Sequence, residues 1–261
     1  MSKLNEYVEK YRKIHEREEQ PIFVDKVPLY EVKEFGVYGD GWTLVRRASP
    51  FITEYQVKKQ RKITVLDYGC GQAHYYMNGL VNATRGLEKT LGESSFKEYM
   101  VQRTELWDRY DPAVAKFASK PQDKQYDVVA CCDVMEHIPE ECVSEVLNDV
   151  FSFCKEDGLV VLTITGTPAA LYFKDEKGEI GENLHCTQYL GEWWLEKAKA
   201  SANNRAFAIF YIGKMEDVGR GIITNTTIYT HNSKYYDFDK QFYESYFQRV
   251  AKDGLKNIIS I

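Results

Sequence analysis

The sequence has no run of 18 apolar residues, no paired CxxC motif and no excess of positive charge. The first absence argues against a transmembrane helix. The opening MSKLNEYVEKYRK also lacks the apolar stretch of a secretion signal, so no membrane partner is expected. The second argues against cysteine-based zinc and redox frameworks. The six cysteines (Cys70, Cys131, Cys132, Cys142, Cys154 and Cys186) are scattered, several of them in apolar runs, and read as reduced core residues of a cytoplasmic protein. The third weighs against a nucleic-acid partner. With 34 Lys and Arg against 39 Asp and Glu the net charge is −5, so the cationic face that binds duplex phosphates is not expected. The one basic run, Lys58, Lys59, Arg61 and Lys62, reads as a solvated linker.

What remains is ordinary globular material: 44% hydrophobic and 28% charged residues, enough for a sizeable core. Tyrosine is plentiful at 19 copies, and its apolar face with a polar tip suits ligand walls and buried hydrogen bonds equally. Near the start, Leu4, Tyr7, Val8, Tyr11 and Ile14 recur at helical spacing, which predicts an amphipathic helix over residues 3 to 18 that packs on another surface. From Gln20 to Ile52 the prolines Pro21, Pro28 and Pro50 and the stretch EFGVYGDGW break any long element. Residues 1–60 are therefore expected to form an N-terminal helix and a lid-like cover, and residues 61–261 the main domain.

The main domain alternates. ITVLDY (63–68), Arg103 to Tyr110, Asp127 to Cys132 and LVVLTI (159–164) read as strands. Helices are expected from about Gln72, over roughly 86–100, and from Pro139, whose inner face is Val143, Val146, Leu147, Val150, Phe151 and Cys154 and whose end is Gly158. Ala206 to Ile212 and Ile222 to Tyr229 read as an antiparallel hairpin at a sheet edge. This pattern predicts an α/β doubly wound sheet.

VLDYGCGQA, residues 65–73, is a glycine loop where the first strand turns into a helix, the place at which such folds bind nucleotide-like ligands. A GxGxxG dinucleotide loop would need glycine at 74, and His74 stands there. Asp67 at the strand end would repel a pyrophosphate and attract a ligand carrying an ammonium group, as S-adenosylmethionine does. At the end of the next strand Asp111, with Asp108 as competitor, is placed to accept the ribose hydroxyls of an adenosine, although the interval from the glycines implies an insertion.

VLDYGCGQA resembles the first motif of class I SAM-dependent methyltransferases, and YDVVACCDVMEHIPEE resembles their fourth. ENLHCTQYLGEWW is similar to a motif in a group associated with sugar and surface-polysaccharide modification. The resemblance implies a Rossmann-like, mostly parallel seven-strand sheet with an antiparallel C-terminal strand pair. It also implies S-adenosyl-L-methionine as cofactor, held by Asp67, Gly69, Gly71, Gln72, Ala73, Asp111, Asp133 and Val134. No clear match exists for the acid that binds adenine, and Asp123 is only a weak candidate.

Methyl transfer from a sulfonium is an in-line displacement that needs positioning and exclusion of water more than acid–base chemistry. Where the acceptor is a hydroxyl, a near-neutral histidine is the natural base, and His185 and His137 are the expected catalytic residues. Asp133, Glu136, His137 and His185 together have the chemistry of a divalent-cation site, but their spacing carries no dedicated metal signature, so no metal is expected. Trp193 and Trp194 are expected mainly in the core, and Tyr68, Tyr75 and Tyr76 flank the loop. The expected acceptor is a small molecule, a sugar or sugar nucleotide methylated on oxygen or nitrogen. The alternatives are a nucleic-acid methyltransferase, or a SAM-binding protein that transfers no methyl group or a different one.

Overall fold

A computed structural model of the chain describes residues 2–16, 18, 21–23, 44–73, 96–169, 171–217, 222–241, 243 and 255–260. The expected cover around Trp42, the helix start after Gln72 with His74, Tyr75 and Tyr76, and the hairpin turn at 218–221 lie outside these residues.

The apolar runs form the strands they predict, because β-branched and aromatic residues fill a sheet that is buried on both faces. In chain order the sheet contains β2 (Ile63–Tyr68), β3 (Thr104–Tyr110), β4 (Tyr126–Cys132), β5 (Cys154–Thr165), β8 (Ala206–Asp217), β9 (Ile222–His231) and β10 (Leu255–Ser260). Their spatial order is β3-β2-β4-β5-β8-β9-β10. Strands β3 through β8 in that order are mutually parallel, β9 is antiparallel to β8, and β10 is parallel to β9. The expected seven-strand, mostly parallel, Rossmann-like fold with antiparallel C-terminal strands is thus present. The β8–β9 hairpin is not the sheet edge, however, because β10 covers β9.

Both faces are covered. On one, Leu44 and Ala48 of a π-helical turn (Leu44–Ala48) and Phe51, Ile52 and Tyr55 of helix α2 (Ser49–Lys59) pack with Ile63, Val65, Val128 and Val161. Met100 of helix α3 (Phe96–Arg103) joins them. On the other, helices α4 (Val143–Ser152) and α5 (Gly191–Ala202) press Val146, Leu147, Val150, Trp194 and Leu195 against Leu66, Val129, Val160 and Ile209.

The helix expected to run from Pro139 to Gly158 is shorter. A 3-10 turn, Glu140–Cys142, precedes α4, and Cys154 is the first residue of β5 instead of the last inward residue of the helix. Gly158 is needed in the strand, since a Cβ there would lie 2.9 Å from the Asp127 carbonyl oxygen and 2.7 Å from Cys154 Sγ. The register shift between β4 and β5 falls in this interval.

A second, three-stranded sheet, unmarked in the hydrophobic pattern, is built from β1 (Ile22–Phe23), β6 (Leu171–Lys174) and β7 (Ile180–Asn183), ordered β1-β6-β7. The N-terminal helix α1 (Lys3–His15), capped by the Ser2 hydroxyl, ends three residues earlier than its periodicity suggests and lies against this sheet. Tyr7 and Ile14 bury with Leu171, Phe173 and Leu184 in a small satellite core. Strand order reverses between β2 and β4, the switch point at which open α/β sheets hold ligands beyond their carboxyl ends.

Candidate functional site

At that switch point the backbone leaves β2 through three residues with positive φ: Gly69 (+75°), Gly71 (+54°) and Ala73 (+51°). Gly69 is required twice over. Its φ disfavours any side chain, and a Cβ would sit 2.3 Å from Val134 Cγ2 in the loop after β4. The loop is tied sideways to the end of β3: Gly69 and Cys70 N–H groups donate to the Tyr110 carbonyl at 2.7 and 3.2 Å. Asp111 completes the tie, Oδ2 accepting the Gly71 N–H and Oδ1 the Ala113 N–H, both at 2.8 Å. A carboxylate has about four acceptor positions, so both oxygens of Asp111 retain capacity for a ligand. Burial raises its pKa, against which the Ala113 N–H, His15 and the Gly71 N–H pull it down.

The loops enclose a cavity of about 590 Å³, within the usual range for small-molecule sites. Gly69, Gly71, Asp111, Asp133 and Val134 line it, together with Tyr68, Ala113, His137 and Asp149. Helix α1 forms the opposite wall with Leu4, Tyr7, Val8, Tyr11, Ile14 and His15. Asp67 is buried at the end of β2 and does not line the cavity, and neither do Gln72 and Ala73. Gln72 instead donates to the His15 carbonyl at 3.2 Å, joining the glycine loop to the end of α1. Asp108 is taken by Lys124 and the Tyr126 hydroxyl, and Asp123 is exposed, so neither contributes.

Asp133 has a φ of +54°, a conformation that costs a non-glycine residue of order 1–3 kcal/mol and is concentrated at functional sites. Its N–H donates to the Thr163 carbonyl at 3.0 Å, and its Oδ1 accepts from the Thr163 hydroxyl at 3.1 Å.

His137 and His185 come together, with ring centroids 4.7 Å apart at 79°. His185 Nδ1 lies 2.6 Å from the Thr167 carbonyl oxygen, so that nitrogen carries the proton and Nε2 the lone pair. The Tyr11 hydroxyl donates to the Leu184 carbonyl at 2.8 Å, and His137 Nδ1 lies 2.7 Å from that hydroxyl and 3.0 Å from the same carbonyl. Two acceptors beside Nδ1 place a proton there as well, which leaves Nε2 of His137 with the lone pair. Burial and the neighbouring His185 push the His137 pKa down to about 3, outweighing the opposing Leu184 carbonyl. Burial lowers that of His185 also. Both rings are therefore neutral near pH 7, and His137 is a poor proton acceptor.

Beside them Glu136 is fully buried. Its Oε1 accepts the Thr165 N–H at 2.9 Å, while Oε2 has no hydrogen-bond partner. Burial, then the nearby Asp133, raises its pKa well above the ordinary carboxylate value.

A family model for a methyltransferase domain matches residues 43–204, more than half of the chain. The chain belongs to this methyltransferase family. No curated protein matches the sequence.

The matched segment runs from the π-helical turn through α5, and among the described residues it takes in all of the methyltransferase's cavity lining except the wall supplied by α1. That wall was legible only as an apolar stripe in need of a partner; Tyr11 and His15 carry no motif. Trp194 is buried in the core of the methyltransferase, as expected. Trp193 stacks on Tyr189 at 4.3 Å, away from the cavity. The basic run is no loose linker: Lys58 pairs with Glu54, Lys59 with Asp157 and Arg61 with Asp127, and Lys62 donates to the Val101 carbonyl. All six cysteines are free, and none of the described helices is long and apolar enough to cross a membrane.

Proposed function

We propose that this methyltransferase binds S-adenosyl-L-methionine in the cavity and transfers its methyl group to an oxygen or nitrogen of a small polar acceptor, a sugar or sugar nucleotide. The observation that carries the reading is Asp111. It is a buried carboxylate held in place by the N–H groups of Gly71 and Ala113, facing the cavity beside the glycine loop with acceptor capacity left for the two hydroxyls of a ribose. Asp133 adds negative charge to the lining, whereas Asp149 is paired there with Lys120, and a carboxylate beside the glycine loop favours a sulfonium and an ammonium over a pyrophosphate.

The acceptor end is assigned to the side bounded by His137, where Leu184 and the helix α1 side chains close the cavity. Helix α1 walls this end of the cavity, and positioning the reacting atoms and keeping water out are most of what this displacement requires. The sugar class rests on the likeness of the NLHCT segment, which supplies His185, Leu184 and the carbonyl contacts of His137. A small acceptor is also favoured over nucleic acid because each side chain of the basic run is engaged within the fold. Six free thiols and the acidic composition support a cytoplasmic location.

Calorimetric titration with S-adenosylmethionine and S-adenosylhomocysteine, on wild type and on Asp111→Asn and Asp67→Ala, tests the cofactor. Binding by wild type that weakens in Asp111→Asn supports the reading; a folded wild type that binds neither ligand overturns it. Mass spectrometry of sugar-nucleotide mixtures incubated with protein and cofactor then tests transfer. Cofactor binding without a gain of one methyl group in any acceptor would point to a SAM-binding protein of another function.

A further inference from the structure

Among the described residues, one cluster has chemistry that the methyl-donor cavity does not use. Glu136, His137 and His185 each offer one ligand atom, and these atoms all lie within 4.8 Å of one another. Glu136 and His137 share one 3-10 turn after β4, whereas His185 arrives from the segment beyond β7. The Thr187 N–H donates to the Glu136 carbonyl at 3.1 Å, which ties the two segments together.

Two features point to a ligand. The fully buried Glu136 keeps Oε2 without a partner. Ionised, that oxygen lacks a donor; protonated, its hydrogen lacks an acceptor; either way the group is unsatisfied in a medium where that is costly. Arg47 acts on Glu136 only at a distance, and no ion pair joins them. Secondly, both imidazoles have Nδ1 committed to a backbone carbonyl, with the Tyr11 hydroxyl as a further partner for His137. That is how metal-binding histidines are commonly oriented, with Nε2 presented to the ion.

We propose that Glu136, His137 and His185 bind a divalent first-row transition-metal ion, of the zinc, manganese or cobalt kind, whose open positions receive oxygen atoms of the acceptor. Two imidazoles and one carboxylate form a mixed nitrogen and oxygen set, which suits these ions better than calcium or magnesium with their all-oxygen shells. Ligands about 2.1 Å from an ion stand about 3.4 Å apart in a tetrahedral shell, so a small side-chain adjustment from the present spread closes the set. Of the three, His137 lines the cavity and Glu136 and His185 lie behind it, which sets the ion at the border of the acceptor end.

The assignment of acceptor oxygens to the ion rests on the methyl-transfer reading; the metal site itself does not. With an acceptor hydroxyl on the ion, its proton leaves to solvent water. The oxygen then forms a bond to the methyl carbon as the carbon–sulfur bond breaks, leaving a neutral thioether. The ion replaces a protein base.

The test uses the full chain stripped with a chelator. Zn²⁺ is titrated by calorimetry and Co²⁺ by visible absorption, on wild type, Glu136→Gln and His185→Ala, with S-adenosylhomocysteine titrated into the same samples. One saturable site in wild type, weakened at least about tenfold in each variant, is expected. No saturable site in wild type, or equal binding in folded variants, would sink the proposal. Wild type alone also decides: electron spin-echo modulation of the Mn²⁺-loaded protein shows coupling to histidine nitrogen if the site is right, and no such coupling refutes it. Metal binding without S-adenosylhomocysteine binding strikes the methyl-donor reading and leaves the site standing; the reverse strikes only the site.

Discussion

Replacing Gly69 by alanine probes the contact that joins the glycine loop to the end of β4. The added Cβ is placed 2.3 Å from Val134 Cγ2, far inside van der Waals contact, on a residue with φ of +75°. The left-handed backbone costs alanine about 1–2 kcal/mol, and overpacking against a held neighbour adds about 1–3 kcal/mol. The variant is therefore expected to lose about 3 kcal/mol in urea unfolding, which for a domain of this size lowers Tm by about 6–12 °C. The two costs separate in a double-mutant cycle, because Val134→Ala removes the clashing methyl groups and leaves the backbone strain. In that background Gly69→Ala is expected to cost only about 1–2 kcal/mol. Cofactor affinity should fall in the single variant and partly recover in the double. A Gly69→Ala cost that is the same in both backgrounds would show that Val134 does not press on the loop, and the steric account would be wrong.

Four further outcomes are expected. Asp127 is fully buried, and although burial opposes it, hydrogen bonds from Arg61, the Thr64 N–H and Lys155 hold its pKa at about 2. Because that value lies below the unfolded one, the stabilisation is present above about pH 4 and lost as pH falls through about 2, so acid titration of wild type against Asp127→Asn should show an advantage of about 2 kcal/mol disappearing over that window. Asp111→Asn leaves the Gly71 or the Ala113 N–H without its acceptor and should cost about 1–3 kcal/mol in unfolding experiments. Tyr11→Phe removes the hydroxyl shared by His137 Nδ1 and the Leu184 carbonyl and should cost about 1 kcal/mol while raising amide exchange in α1. Trp193→Ala breaks a stack with Tyr189 outside the cavity, so calorimetry should return an unchanged S-adenosylhomocysteine affinity.

The separate success of pattern and failure of boundary have physical causes. Runs such as ITVLDY and LVVLTI are buried on both faces, so their strand character is written in every residue. The end of α4 was not legible, because glycine closes helices and also permits close strand approach; only the position of the Asp127 carbonyl shows which applies to Gly158. The small sheet was missed since LYFK and IGEN are short and half-exposed, and they bury little except against α1. Among the residues expected to hold the cofactor, Gly69, Gly71, Asp111, Asp133 and Val134 line the cavity while Asp67, Gln72 and Ala73 do not. A strand's alternation sends neighbouring side chains to opposite faces, and the loop's positive φ values redirect the residues after it.

By itself the sequence determined the alternating α/β architecture, the glycine loop with its neighbouring acids, and the family, since these depend on residue type and local spacing. The tertiary structure alone decided that α1 walls the cavity, that Asp111 spends two of its acceptor positions on backbone, and that Glu136, His137 and His185 meet. These depend on chain segments separated by up to 173 positions, as Tyr11 and Leu184 are. Such separations leave no periodicity to read, only unsatisfied apolar and polar groups whose partners the fold supplies.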